Sequence, residues 1–272
     1  MKDESMKNTF LKSAGLGLLM LGALASPLTM ASNKVLDWAS KEGQTRLMNS
    51  VDNQDFFSLA PHFEGQSNKV FCGIASMAMV ANALSVTPNG DSIELDPSRM
   101  TEAELEYFPK DGWSPFFHRY TQESVSKVSP KPRIEMFGKP TEKHPKGDYG
   151  MQLTDFEALG TQMGFKTVIE PIDLDKKDSC VYASYIKKQL IAGLADPDKF
   201  VVVNYSRVPL EQRGTGHYSP IGAYHPTSDS FLVMDVSNTY QTWVWISSHN
   251  LLEAMATLDG DQVRGYAIVS KG

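Results

Sequence analysis

The stretch from Cys72 to Val86, CGIASMAMVANALSV, restricts the fold more than any other part of the sequence. It is apolar on almost every side and contains no proline, which is typical of a helix buried all round. Pro88, Asn89 and Gly90 then end the helix. The sequence therefore predicts a central buried helix over 72–86, and a chain of 272 residues is long enough to cover it.

The last third of the chain predicts β-structure instead. Residues 200–206, FVVVNYS, are a continuous apolar run typical of a buried strand. Residues 216–225 and 229–237 predict two antiparallel strands joined by a turn near Thr227–Asp229. Because helices precede most of the strands, the predicted class is α+β. The shorter elements expected are helices over 154–164, capped by Thr154, over 181–195 and over 250–257, and strands over 166–171 and 264–270.

The N-terminus has the features of a secretory leader. Residues 13–25, SAGLGLLMLGALA, are apolar and uncharged, but too short for the roughly 20 residues that span a bilayer. Lys7 and Lys12 precede them, and small residues lead up to Ala31. This order is that of a signal peptide. We expect a leader over 1–31, a catalytic domain over 32–272, export to a bacterial periplasm and no stable membrane insertion after cleavage.

Residues 88–148 differ in composition from the rest, with many prolines and charges. They predict a loop-rich insertion, which could form a lid or only surface. A short helix is expected near 101–107, because Thr101 at the N-cap and Glu104 three residues later form a capping box.

Charge and cysteine content exclude two classes of function. The net charge is −6, so the basic excess of a nucleic-acid binder is missing and no nucleic-acid partner is expected. Two cysteines cannot build a multi-cysteine zinc site, and no Cys-x-x-Cys or His-x-x-x-His spacing occurs, so no metal site is predicted. In an oxidising compartment Cys72 and Cys180 could form a disulfide.

Cys72 has the position that favours a reactive thiol. It opens the predicted helix, where unpaired N–H groups and the helix dipole stabilise a thiolate. A cysteine in an apolar run is otherwise most often a small core residue. Gln66 lies six residues upstream, where its amide, with the backbone N–H of Cys72, could hold the oxyanion of a tetrahedral intermediate. The alternative for Gln66 is an ordinary loop residue.

A thiol nucleophile also needs a base and a group that orients the base. Among six histidines, His217 stands out because glycines and an apolar strand flank it. Asp235 lies within FLVMDVS, where a buried carboxylate requires a partner. Pairing of 216–225 with 229–237 would bring Asp235 across from His217, which would complete a set of three residues for nucleophilic catalysis.

Three segments of the sequence resemble the signature blocks of the phytochelatin synthase family. They are VFCGIASMAMVANAL around Cys72, GTGHYSPIGAYH around His217 and LVMDVS around Asp235. LLEAMATLD and RGYAIVS match the end of the family's catalytic domain, so the resemblance covers roughly residues 56–270. It implies a papain-like cysteine protease fold, with Cys72 in a helix-rich N-terminal part and His217 and Asp235 in an antiparallel C-terminal sheet.

The resemblance also implies a reaction. Cys72 attacks the Cys–Gly peptide carbonyl of glutathione, glycine leaves, and the γ-Glu-Cys thioester passes to water or to a second glutathione. The resemblance makes His217 the general base and acid, Asp235 its orienting residue and Gln66 the oxyanion donor. The substrate-binding residues are then expected to be Phe71, Gly216, Tyr218, Asp259 and Arg264.

The sequence departs from the family pattern after Val236. Asn238 stands where the family has arginine, and a Pro-Pro pair is missing, although Trp245 keeps its spacing. Cys180 is the only other cysteine, whereas the long family members have a cysteine-rich region. We therefore expect glutathione hydrolysis to rival or exceed phytochelatin synthesis.

The resemblance implies no tightly bound cofactor. In the family, Cd²⁺ or Zn²⁺ acts as a metal–glutathione thiolate complex that serves as acceptor, in a response to heavy metals. Family members are often dimers, so a homodimer is left open. Two other functions are also left open: a papain-like peptidase acting on other exported peptides, and a non-enzymatic thiol or metal-binding module.

Overall fold

A computed structural model describes residues 34–85, 100–112, 115–116, 118–137, 149–237 and 242–272. The leader predicted over 1–31, the helix break at 88–90 and Asn238 lie outside these residues. The described residues belong to one compact unit, Asn33–Gly272. The domain limits of the sequence analysis stay a prediction.

The described strands are antiparallel to each of their neighbours. Their bounds are β1 (Val35–Asp37), β2 (Phe165–Pro171), β3 (Lys199–Ser206), β4 (Gly216–His225), β5 (Ser230–Val233), β6 (Val244–Ser247), β7 (Leu258–Asp259), β8 (Gln262–Val263) and β9 (Gly265–Lys271). Seven of them form one sheet in the order β1-β6-β5-β4-β3-β9-β2, and β7 pairs with β8 in a separate hairpin.

Helices cover both faces of this sheet. Their bounds are α1 (Lys41–Met48), α2 (Gln54–Leu59), α3 (Cys72–Leu84), α4 (Glu102–Leu105), α5 (Gln122–Val128), α6 (Arg133–Phe137), α7 (Leu153–Gln162), α8 (Cys180–Leu194) and α9 (Ser248–Met255). Mixed helices and an antiparallel sheet confirm the predicted α+β class.

Two hydrophobic cores lie on opposite faces of the sheet. On one face α3 and α7 pack against alternate strand residues such as Val202. On the other face α8 and α9 pack against the intervening residues, such as Val201 and Val203. Alternation along β3 therefore divides its side chains between the two cores, as the two-residue repeat of a strand requires.

Several predicted elements are confirmed closely. Helix α3 begins at Cys72, and β4 has the predicted bounds 216–225. The capping box of α4 is present, because Thr101 accepts from the Glu104 N–H and Glu104 accepts from the Thr101 N–H. Sequence signals were sufficient here because each acts within a few residues.

Two other predictions need correction, and one strand was missed. The N-cap of α7 is Gln152 rather than Thr154, because Asp155 accepts the Gln152 N–H at 2.8 Å. Strand β5 ends at Val233, so Asp235 lies in the segment after the strand rather than inside it. Strand β6 was not predicted, and it pairs with both β1 and β5.

Part of the insertion predicted over 88–148 is packed into the core, whereas its residues 101–112 lie at the surface. Val125 and Met136 are fully buried and belong to the same core as α3. Asn82 of α3 exchanges two hydrogen bonds of 2.8 Å with the backbone of Tyr120. Gln122 binds the Ser67 N–H at 2.8 Å and the Gly65 carbonyl at 2.9 Å, which holds the loop ahead of Cys72.

No helix among the described residues is long and apolar enough to cross a bilayer.

Candidate active site

Cys72 is the first residue of α3 and is half-buried. Its sulfur accepts hydrogen bonds from the backbone N–H groups of Gly73 and Tyr218 and is hydrogen-bonded to the His217 side chain. Phe71 at the N-cap offers no side-chain cap to the first turn. The thiol therefore takes the place of a capping acceptor at a helix N-terminus, where a negative charge is stabilised.

The end of β4 explains why the Tyr218 N–H is free to face the thiol. Arg207 donates its N–H to the Thr215 carbonyl at 2.8 Å, so the alternation of an antiparallel ladder turns the Tyr218 N–H away from β3. On its other side β4 pairs with β5 only from Ile221 onward. The edge of β4 beside His217 is therefore open to the N-terminus of α3.

His217 and Asp235 lie together in the interior. The His217 Nε2 atom is 2.9 Å from Asp235 Oδ1, and the two side chains are 4% and 0% exposed. With Nε2 directed at the carboxylate, the other ring nitrogen is left for the thiol. The structure thus brings together the three residues that the sequence analysis named as nucleophile, base and orienting group.

Asp235 has further partners that the sequence analysis did not name. Arg207, 3% exposed, donates from Nη2 to both carboxylate oxygens, at 2.6 and 2.9 Å. The Tyr205 hydroxyl donates to Oδ2 at 3.3 Å, and the Ser237 N–H donates to Oδ1 at 2.7 Å. The carboxylate is therefore held from several directions.

These contacts shift the pKa values of Cys72, His217 and Asp235 in directions that favour an ion pair between the thiol and the imidazole. Burial alone would raise the pKa of Cys72, but the hydrogen bond and charge of His217 and the Tyr218 N–H lower it below its usual value. Burial would lower the pKa of His217, but the charge and hydrogen bond of Asp235 raise it. Burial would likewise raise the pKa of Asp235, but His217 and Arg207 lower it. A thiolate facing an imidazolium is the form these shifts favour.

Gln66 lies beside the segment that carries Asp235, but its side chain is turned to another partner. Its backbone N–H donates to the Val236 carbonyl at 2.7 Å. Its side-chain Nε2 donates to the Asn68 carbonyl at 2.6 Å, while Oε1 is buried with no partner among the described residues. One N–H of Nε2 is left as a donor, so the role of Gln66 in an oxyanion hole stays a prediction.

A cavity of about 390 Å³ opens beside Cys72 and His217. Gly216, Tyr218, Asp259 and Arg264 line it, together with Lys69, Val70, Tyr149, Gly150, Met151, Thr215, Leu258 and Gly260. Four of the five residues expected to bind substrate are therefore at this cavity.

Phe71 is the exception. Its side chain is 1% exposed and packs against Phe137, with ring centroids 5.4 Å apart, and under the Arg133 guanidinium. The ring thus belongs to the core behind the site, and the prediction that it contacts substrate is not supported by its placement.

Asp259 and Arg264 form an ion pair at one side of the cavity. Arg264 donates to both carboxylate oxygens at 2.7 and 2.8 Å, and its Nη1 also donates to Asn204 at 2.7 Å. Burial raises the pKa of Asp259 although Arg264 opposes the shift. A methyl group on Gly216 would lie 2.5 Å from two guanidinium nitrogens, so only glycine leaves room for this pair.

Two residues of the site were missed by sequence reasoning, although each left a signal. Asn204 is a polar residue inside the apolar strand β3, where it binds both Arg264 and the Tyr218 hydroxyl. Arg207 directly follows the same strand, and a guanidinium at the end of a buried strand requires a buried anion. Neither signal identifies the partner, because the partners are distant in sequence.

The two cysteines are both free. Cys72 begins α3 on one face of the sheet and Cys180 begins α8 on the other. A disulfide between them would have to cross the sheet, so the structure contradicts that pairing. Among the described residues, no three His, Cys, Asp or Glu side chains are grouped so as to hold a metal ion.

Comparisons with known proteins point to one family. A family model described as phytochelatin synthase matches residues 26–95 and 96–266. Glutathione gamma-glutamylcysteinyltransferase 1 of Lotus japonicus is 26% identical over 248 residues, which cover 89% of this chain and 42% of that protein. The transferase of Schizosaccharomyces pombe is 24% identical over 218 residues, covering 79% and 43%. The chain thus spans less than half the length of these relatives.

Among solved structures, the peptidase domain of Streptococcus ComA is similar to 78% of this chain. The match covers 98% of that domain with a TM-score of 0.38 and 12% identity. A TM-score this low does not establish a common fold.

Proposed function

Because the chain belongs to the phytochelatin synthase family, we propose that it is a glutathione γ-glutamylcysteinyltransferase that uses Cys72 as its nucleophile. One observation carries the proposal. The Cys72 thiol is hydrogen-bonded to His217, whose Nε2 lies 2.9 Å from Asp235 Oδ1, and it lies at a cavity that also holds the Asp259–Arg264 pair. A nucleophile and a charged recognition site therefore open on the same space.

The proposed reaction begins with a thiolate and an imidazolium. The Cys72 thiolate adds to the carbonyl carbon of the Cys–Gly bond, and the Cys72 N–H with the remaining Gln66 N–H would stabilise the oxyanion. His217 then gives its proton to the glycine amine, and the C–N bond breaks. The acyl group stays on sulfur as a γ-Glu-Cys thioester. A papain-like arrangement of these groups is part of the proposal.

The second half returns the proton. Neutral His217 removes a proton from water or from the α-amine of a second glutathione as that nucleophile attacks the thioester carbonyl. Sulfur leaves as thiolate, which regenerates the starting ion pair. Water yields γ-Glu-Cys, and glutathione yields phytochelatin. Asp235 keeps the ring directed at the thiol throughout, because its oxygen is held 2.9 Å from Nε2.

We propose that Asp259 and Arg264 recognise the γ-glutamyl part of glutathione. This part carries an α-ammonium and an α-carboxylate, which match an anion and a cation side by side. Arg264 Nε is buried and has no hydrogen-bond partner among the described residues. Gly216 and Tyr218 would contribute the wall between this pair and the thiol.

The acceptor is proposed to be glutathione, free or as a Cd²⁺ or Zn²⁺ thiolate complex. The metal would then enter as part of the substrate. We further propose that the protein acts after export to a periplasm, and that hydrolysis competes with synthesis. Expression of the full chain in a bacterium, followed by the intact mass of the periplasmic product, tests whether residues 1–31 are removed.

The central experiment supplies glutathione to the purified protein with and without Cd²⁺ and separates the products by chromatography. Release of glycine with γ-Glu-Cys or with (γ-Glu-Cys)₂-Gly supports the transferase. Cys72→Ser should abolish glycine release, and Cys180→Ser, the matched control, should leave it unchanged. Cleavage of longer peptides with no turnover of glutathione would instead identify a peptidase of other specificity, and no turnover of either would favour a non-enzymatic thiol module.

A further inference from the structure

Arg207 is the most completely buried cation near the proposed catalytic residues, and the reaction scheme above does not use it. Its side chain is 3% exposed, and Nη2 lies 2.6 and 2.9 Å from the two oxygens of Asp235. A buried guanidinium is costly unless it is paired, and removal of one partner leaves an uncompensated charge.

The loop between β3 and β4 fixes the arginine in place. Its backbone N–H donates to Thr215 at 2.8 Å and its carbonyl accepts from Gln212 at 3.1 Å. Gly214 has φ +100° and lies over the Arg207 side chain, where a methyl group would come within 3.2 Å of Cδ. The loop that leads to His217 thus also holds the guanidinium against Asp235.

The charges of the buried site balance only when the arginine is counted. A Cys72 thiolate, a His217 imidazolium and an Asp235 carboxylate together carry a net charge of −1. The Arg207 guanidinium brings the sum to zero. Tyr205 adds no charge, because burial and the nearby Asp235 hold its pKa well above the usual range.

We propose that Arg207, fixed against Asp235, is the cation that sets the pH range in which the Cys72–His217 ion pair forms. The inference rests on the proposed function only in taking Cys72 as the reactive thiol. It is a statement about the thiol and imidazole themselves, so it can be tested without glutathione.

The predicted effect has a sign that a merely structural role would not produce. Loss of the Arg207 charge removes a cation that stabilises the thiolate, so the pKa of Cys72 should rise. It also removes a cation that opposes the imidazolium, so the pKa of His217 should rise as well. Simple loosening of the site would separate the thiol from the ring, which would raise the pKa of Cys72 but lower that of His217.

The titratable and charged groups that face this site are identified first, because the control variants must leave them unchanged. Among the described residues they are Cys72 from α3, His217 and Tyr218 from β4, Tyr205 from β3, Arg207 from the segment after it, Asp235, and the Asp259–Arg264 pair at the same cavity. Arg207→Gln removes the charge but keeps a hydrogen-bond donor. Arg207→Lys keeps the charge and loses the planar fork, so it is the matched variant.

The test measures the rate of alkylation by iodoacetamide against pH in the full chain. Every variant also carries Cys180→Ser, so that the exposed Cys180 thiol does not contribute. The pH–rate profile has two limbs, one set by ionisation of the Cys72 thiol and one by ionisation of the His217 imidazolium. In Arg207→Gln both limbs should move to higher pH by about one unit. Arg207→Lys should keep both limbs near their wild-type positions.

Unchanged limbs in Arg207→Gln would overturn the proposal, and so would limbs that move in opposite directions. If Arg207→Gln does not fold, the comparison moves to an Asp235→Asn background, where no carboxylate is left unpaired. There Arg207→Gln should again move both limbs to higher pH, because the Arg207 charge acts on the thiolate and the imidazolium whether or not residue 235 is charged. Unchanged limbs in that background would contradict the proposal.

Discussion

Asp55 offers a prediction whose size follows from its surroundings. It lies in the first turn of α2, is 2% exposed, and its Oδ2 has no hydrogen-bond partner among the described residues. Burial, and then the negative charges of Asp196 and Asp52, raise the pKa of Asp55 from 3.8 to about 8. The folded protein therefore holds a proton on Asp55 at neutral pH, whereas the unfolded chain does not.

The raised pKa of Asp55 determines how the free energy of unfolding depends on pH. Between the two pKa values the folded state binds more protons, so the free energy of unfolding falls as pH rises. Each unit lowers it by about 1.4 kcal/mol, so the interval from pH 5 to pH 7.5 lowers it by about 3 kcal/mol. Above pH 8 the loss levels off, because Asp55 is then ionised in both states.

Asp55→Asn removes this contribution. Urea unfolding followed by tryptophan fluorescence at several pH values between 5 and 8.5 should show a flatter stability curve for the variant. The quantity compared is the change in the free energy of unfolding with pH in each protein. Any effect of Asn on packing that does not depend on pH therefore cancels. Asp178→Asn, at an exposed position, serves as control and should follow the wild-type curve. Parallel curves for wild type and Asp55→Asn would refute the reasoning.

Three further predictions concern the site and its support. His217→Asn should lower kcat for glycine release by ~10²–10⁴, and a change under tenfold would argue against a general base. Gly216→Ala places a methyl group 2.5 Å from the Arg264 guanidinium, so it should raise KM for glutathione more than it lowers kcat; an unchanged KM in steady-state assays would contradict substrate recognition there. Gln122→Ala leaves the Ser67 N–H without its acceptor and should lower the free energy of unfolding by about 1–3 kcal/mol in urea titrations, with no loss as the opposing result.

Local signals made much of the fold predictable. The all-apolar run places α3, and Cys72 stands at its first residue as expected. Alternation and flanking turns predict β4 with its observed bounds. In both cases the information lies within about one helical turn or one strand, which is the range over which hydrophobic periodicity acts.

The errors share a common origin in distant contacts. Thr154 has the chemistry of a cap, but its hydroxyl is bonded to Gln262, 108 residues away. Strand β6 forms because β1 and β5 pair on either side of it. The segment of the insertion around Val125 has the composition of a loop, yet it is buried because α3 offers it an apolar surface.

The sequence by itself determined the place of Cys72 at a helix N-terminus, the strand that carries His217, and the family. Only the tertiary structure decided how the charges are held. Arg207 reaches Asp235 across 28 positions, and Arg264 reaches Asn204 across 60. A charged residue within or beside an apolar segment indicates that it needs a partner, because burial of an unpaired charge is too costly. It does not say which residue the partner is, since that depends on strands brought side by side by the whole core.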